Sequence, residues 1–181
     1  MKLLWVGTIH NNLALLESLA ASPAAAKWSG GLLGALQAAG HEVVCLSHYH
    51  LRAWPRGPVF SRHKGRTSDA FKTVGVEAWN LPGLRGYDLR RRYHRVASRL
   101  VCSGGFDAAL TYNLTTWNLA AASAVQGCGV PWINVMLDFE NPGENLEAHD
   151  KAARNADGHV FLSHWAYEKS KLRPKLHLDG G

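Results

Sequence analysis

Long apolar runs are missing from the start of this chain. The first, Leu3–Val6, falls far short of the roughly 18 residues a spanning helix needs and has no signal-peptide core, so the expectation is a cytoplasmic protein. Cysteine is scarce. Cys45, Cys102 and Cys128 are odd in number, widely spaced and each in or beside an apolar segment, which predicts buried free thiols in a reducing compartment and no disulfide. Repeats and low-complexity segments are absent, which excludes solenoids and disorder. Several catalytic and cofactor signatures are also missing. No Gly-x-Gly-x-x-Gly follows the first strand, which disfavours an NAD-linked enzyme, and no Gly-Lys-Ser/Thr of the Walker type occurs. There is no Gly-x-Ser-x-Gly elbow for a serine nucleophile. His41, His48 and His50 lack thiolate or carboxylate companions at ligand spacing, so no metal is expected.

What is present is an ordinary globular composition, 46% hydrophobic and 19% charged over 181 residues, long enough for one domain that buries about 70% of its unfolded surface. The formal net charge of +6 favours an anionic partner. On charge alone, nucleic acid, an anionic membrane surface and a phosphorylated substrate all fit.

Short apolar runs alternate with helical patterns along the whole chain. Leu3–Gly7, Val43–Ser47, Val76–Leu81, Phe106–Tyr112, Val130–Leu137, Gly158–Leu162 and Pro174–Leu178 read as strands. Leu13–Ala21 reads as a short helix. The first long helix ends at Gly40 and has two possible starts: Ser22 as cap with Pro23 in the first turn, or Ser29 as cap with Gly30 and Gly31 open to a ligand. Further helices are expected over Asp88–Cys102, about Thr115–Gln126, Glu144–Asn155 and from the cap Ser163 to about Lys171. His48–Val74 reads as a long basic loop with a helical piece near Ser68–Lys72. The pattern predicts an α/β fold: a Rossmann-like three-layer sandwich with a mostly parallel sheet of six or seven strands.

Polar residues collect after the strands, where open α/β sheets bind ligands. His10, Asn11, His48 and Asn113 are the candidate acceptor contacts. Asp138 and Glu140, two residues apart at a strand end, are the carboxylates best placed to take a proton from an attacking hydroxyl; capping a following helix or pairing with an arginine is the alternative role. The helix over Asp88–Cys102 carries Arg90, Arg91, Arg92, Arg95 and Arg99 largely outward, a solvated cationic side or a face for an anionic membrane.

The ordered set Lys27-Trp28-Ser29-Gly30-Gly31-Leu32, Gly40-His41-Glu42-Val43, Phe106-Asp107, Tyr112-Asn113, Pro131 before a strand ending at Asp138, and Ala156-Asp157-Gly158 before Val160-Phe161-Leu162-Ser163 resembles the N-terminal half of glycosyltransferase family 4, of the GT-B architecture. The resemblance covers essentially the whole chain. It implies that residues 1–181 form the acceptor-side domain of an enzyme of polysaccharide biosynthesis or a related pathway, the C-terminal donor domain lying outside this chain and the piece alone being inactive. It implies donor-phosphate contacts by Lys27, Ser29, Gly30 and Gly31, although Trp28 and Ser29 offset Lys27 from the glycine pair relative to the Lys-x-Gly-Gly-Leu of related glucan synthases. A nucleotide-sugar donor is then a substrate and no cofactor is needed; the acceptor is a glycan, a lipid-linked species or a small molecule, and nucleic acid is not a partner. The rival reading is a stand-alone Rossmann-like nucleotide-binding or regulatory module without transfer activity.

Overall fold

The computed structural model describes residues 1–9, 23–49, 51–62, 71–136 and 146–178. Elements follow in the order β1 (Lys2–Val6), α1 (Pro23–Ala38), β2 (Glu42–Ser47), β3 (Phe60–Ser61), β4 (Lys72–Gly75), β5 (Ala78–Trp79), α2 (Arg85–Gly104), β6 (Ala108–Tyr112), α3 (Thr116–Gly127), β7 (Trp132–Met136), α4 (Leu146–Ala153), β8 (Gly158–Phe161), α5 (His164–Lys169) and β9 (Lys175–His177). Seven strands form one parallel sheet in the order β4-β2-β1-β6-β7-β8-β9.

Continuous burial of β1 and β2 follows from cover on both faces, as their unbroken apolar runs require. Alternate residues point to opposite faces. Leu4, Val6, Val44, Leu46 and Ala109 pack under α2 and α3 against Leu89, Tyr93, Ala97, Ala121 and Val125. On the other face Trp5, Val43, Cys45, Tyr112 and Val135 pack with Leu33 of α1.

The helix ends obey local chemistry. Gly40 takes φ 85°, which an L side chain resists, and His41 N donates to Leu36 O while Gly40 N donates to Gln37 O. This paired closure ends α1 and aims the chain into β2. α3 begins at Thr115, whose hydroxyl accepts from Asn118 N at 3.2 Å.

Two sequence-based expectations are corrected by the topology. The third sheet strand is Lys72–Gly75 and not Val76–Leu81; Ala78–Trp79 leaves the sheet and pairs antiparallel with Phe60–Ser61, because Phe60 and Trp79 stack edge to face at 5.2 Å over α2. Lys72, expected in a helical piece, is in that strand; Leu13–Ala21 lies outside the described residues. The second correction concerns the cysteines. Cys102 and Cys128 form a disulfide with their Cα atoms 5.6 Å apart, and only Cys45 is a buried free thiol. α2 and α3 lie side by side, one before and one after β6, so their last turns meet although 26 residues separate the sulfurs. Spacing along the chain carried no sign of that meeting.

Candidate active-site crevice

β1 and β6 are neighbours in the sheet, yet β1 connects onward to the β2 side and β6 to the β7 side. Loops leaving such a pair diverge and open a crevice at the carboxyl ends of the strands. Gly7 and Asn113 stand at that mouth.

Gly7 is required there by space. A Cβ on it would sit 2.7 Å from Tyr112 Cβ, so any side chain would push the two strand ends apart. Beneath the mouth Tyr112 lies between Trp5, at 5.3 Å between ring centroids, and Trp28 of α1, stacked at 5.8 Å. These rings form a rigid apolar floor.

Asn113 adopts φ 56°, the left-handed conformation that asparagine tolerates better than most side chains. Asn118 holds this turn: its Nδ2 donates to Tyr112 O at 2.8 Å and to Asn113 O at 2.9 Å. Asn113 N donates to Val135 O at 2.9 Å, which ties the turn to the next strand. The β6–α3 turn is thus fixed by its own sequence. Asn118 was not among the residues singled out from the sequence; its place three residues after the Thr115 cap, where a side chain can reach back over the first turn, was the available signal.

The candidate donor-phosphate residues do not sit at a helix start. α1 begins at Pro23, so the start at Ser29 is not the one the chain takes. Ser29 is fully buried and its Oγ donates to Ala25 O at 2.8 Å, while Lys27 is exposed. Amides beyond the first turn serve the helix's own ladder, so those of Gly30 and Gly31 are committed within α1. Gly31 faces open space, with no atom within 4 Å of where a Cβ would lie.

His48 is placed by packing. It is 4% exposed, its Nδ1 lies 2.7 Å from Tyr93 Oη, and its ring meets Tyr93 and Trp117 edge-on. Burial pushes the Tyr93 phenol above its usual range, with a backbone hydrogen bond from His48 acting the other way. His10, Asn11, Asp138 and Glu140 lie outside the described residues. Asn113 is therefore the candidate acceptor contact that the described structure sets at the crevice mouth.

A second polar group crosses the same sheet. Thr111, Asn134 and His159 are in register on β6, β7 and β8, all buried, and α4 lays His149 over them with Nε2 3.0 Å from the Asn134 amide. Burial lowers the pKa of His149, opposed by Asp150 through a side-chain hydrogen bond and its charge; burial also lowers that of His159. Among the described residues there is no cluster of three or more His, Cys, Asp or Glu side chains able to hold a metal.

Of the six arginines of α2, the five expected to form a cationic face divide into unlike roles. Arg92 Nε donates to Asp88 at 2.8 Å and its guanidinium lies over the Phe60 ring, so it belongs to the packing of the β3–β5 ribbon. Arg90, Arg91, Arg95 and Arg99 are exposed.

The seven-stranded parallel sheet with helices on both faces is a Rossmann-like fold. Among solved structures the chain is similar to sucrose-phosphate synthase from Thermosynechococcus elongatus, with TM-score 0.52 and 15% identity over 98% of this chain and 87% of that one. It is also similar to UGT89C1 of Arabidopsis thaliana, solved in complex with quercetin, with TM-score 0.55 and 11% identity over 98% of this chain and 50% of that one. The chain thus spans half the length of the second of these. No known protein-family pattern matches the sequence, and no curated protein matches it either. Among the described residues no helix is long and apolar enough to cross a membrane.

Proposed function

We propose that this chain is the acceptor-side domain of a sugar-nucleotide-dependent glycosyltransferase of GT-B architecture, of the family 4 type, working at the cytoplasmic side of the cell. The observation that carries the reading is the switch point between β1 and β6, with Gly7 close-packed on Tyr112 and the fixed Asn113 turn, on a fold shared with two glycosyltransferases. A second Rossmann-like lobe carrying the nucleotide sugar completes the cleft, and no cofactor takes part.

In the reaction an acceptor hydroxyl oxygen bonds to the anomeric carbon as that carbon's bond to the donor phosphate oxygen breaks. The nucleoside diphosphate leaves with the bond's electron pair, and the hydroxyl proton passes to a base. Asp138, with Glu140 beside it, is the side chain we assign to that proton, while Asn113 and the His10-Asn11 segment contact the acceptor. Lys27 and Gly31 remain the donor-side candidates that α1 exposes.

The experiment is nucleoside diphosphate release from UDP-glucose and GDP-mannose by the full-length protein, with and without candidate glycan acceptors. Loss of a general base lowers kcat by roughly 100- to 10,000-fold, so Asp138→Asn is expected to fall in that range. Gly31→Val is expected to raise the donor KM. Unchanged rates in both variants would refute the site assignment. Nucleotide binding without any transfer would favour the stand-alone module.

A further inference from the structure

A cavity of about 500 Å³ lies between α2 and α3, in the helical layer and not in the crevice between β1 and β6. Arg90, Arg91 and His94 line it from α2; Thr116 and Ser123 add hydroxyls from α3. Its remaining lining, Leu119 and Ala120, is apolar. Its volume is that of a small-ligand site. Among the described residues, neither arginine has a carboxylate within 4.0 Å, in contrast to Arg92 one position on. Two arginines and a histidine lining one cavity with two hydroxyl-bearing residues suit the oxygens of a phosphate, and the apolar lining suits a hydrocarbon attached to it.

The surface beside this cavity is unusually apolar. Tyr87 is 67% exposed one turn before Arg91, and Leu84 is 40% exposed just before α2. Exposed Tyr and Leu next to clustered arginine is the composition of a surface that settles into the headgroup layer of an anionic bilayer.

We propose that the α2–α3 cavity binds the phosphate headgroup of an anionic membrane lipid, with Arg90, Arg91 and His94 as its ligands and Leu84 and Tyr87 seated in the interface beside it. The surface is independent of the transferase reading, and its test contains no sugar transfer. Of the arginines expected to form one cationic face, Arg90 and Arg91 do the binding; Arg99, near the far end of α2, is outside the cavity.

The test is co-sedimentation of the protein with phosphatidylcholine vesicles, with and without phosphatidylglycerol, over a salt series. Binding is expected with phosphatidylglycerol only and is expected to weaken as salt rises. Arg90→Gln/Arg91→Gln lowers the partition about 30-fold, from the usual worth of two arginines at an anionic surface. Arg99→Gln changes it less than about threefold, and Tyr87→Ser lowers it with the charge intact. Ser123→Gln occupies the cavity from an exposed position without altering charge or adding an interfacial aromatic, and reduces binding even if the double arginine variant fails to fold. An equal effect of Arg99→Gln, or full binding by Ser123→Gln, would overturn the cavity as the site. Binding of inorganic phosphate or of an oligonucleotide with none to phosphatidylglycerol vesicles would overturn the lipid as its ligand.

Discussion

Replacing Tyr93 by Phe deletes one buried oxygen and leaves the ring. Tyr93 is 1% exposed and sits in the central cluster with Leu4, Val6, Leu46 and Leu89, so Phe fills the same volume and no cavity opens. What is lost is the 2.7 Å contact with Nδ1 of His48, itself almost wholly buried, together with the hydrogen bond from the His48 backbone. Removing one partner of a buried hydrogen bond costs about 1–3 kcal/mol, because the remaining group keeps its desolvation penalty. For a domain of this length that is a fall in Tm of about 2–12 °C. Urea unfolding followed by far-ultraviolet circular dichroism reads it directly, and the slope m should stay constant because the exposed surface does not change. A cycle with His48→Leu should give a coupling of at least about 0.5 kcal/mol. If Tyr93→Phe melts within about 1 °C of the parent and the cycle shows no coupling, His48 is not held by Tyr93, and its packing role is refuted in favour of an acceptor contact.

Three further outcomes follow from the same geometry. Gly34→Ala should stabilise the protein by about 0.5–1 kcal/mol, since the position is inside α1 with no atom within 4 Å of a new Cβ; a loss of stability would mean that something covers that face. His149 and His159 have lowered pKa values in the fold, so the unfolded chain binds more protons once the pH falls below the ordinary value of 6.5; stability is full above that value and declines as the pH drops through it toward the folded pKa values. A Tm series from pH 7.5 to pH 5 should therefore fall less steeply for His159→Gln than for the parent, and parallel curves would contradict the burial of His159. Burial raises the Cys45 thiol to about 12, so in unreduced native protein a thiol reagent should find no reactive group until urea is added and then one per chain; three would show that Cys102 and Cys128 are not joined.

The strands that carry the sheet were legible because β1, β2, β6 and β7 are buried on both faces and their apolar runs are unbroken. Gly40 and Thr115 marked helix boundaries through their own conformational chemistry. The failures were failures of long-range pairing. Lys72–Gly75 is short and only half-buried at the sheet edge, whereas Val76–Leu81 is more apolar for a different reason, since Val76 and Ala78 pack under α2. Nothing local says that Cys102 and Cys128 end neighbouring helices. The position of Asn113 at a strand end was legible from the apolar run before it, but Asn118 acts through a turn that has to be folded before its amide finds two carbonyls. Ser29 and the adjacent glycines looked like a helix start because small residues suit both a cap and a close-packed helix interior; the buried Oγ bonded to Ala25 O decides for the interior.

In the proposed transferase the β1/β6 crevice holds the acceptor and leaves the donor to a second lobe. The most direct measurement is the pair of KM values for sugar transfer by the full-length protein carrying Asn118→Leu, which releases both carbonyls of the Tyr112-Asn113 turn while staying inside the protein. A raised acceptor KM with the nucleotide-sugar KM unchanged is the predicted result. A raised donor KM with normal acceptor binding, or no change in either for a variant that still folds, would contradict it.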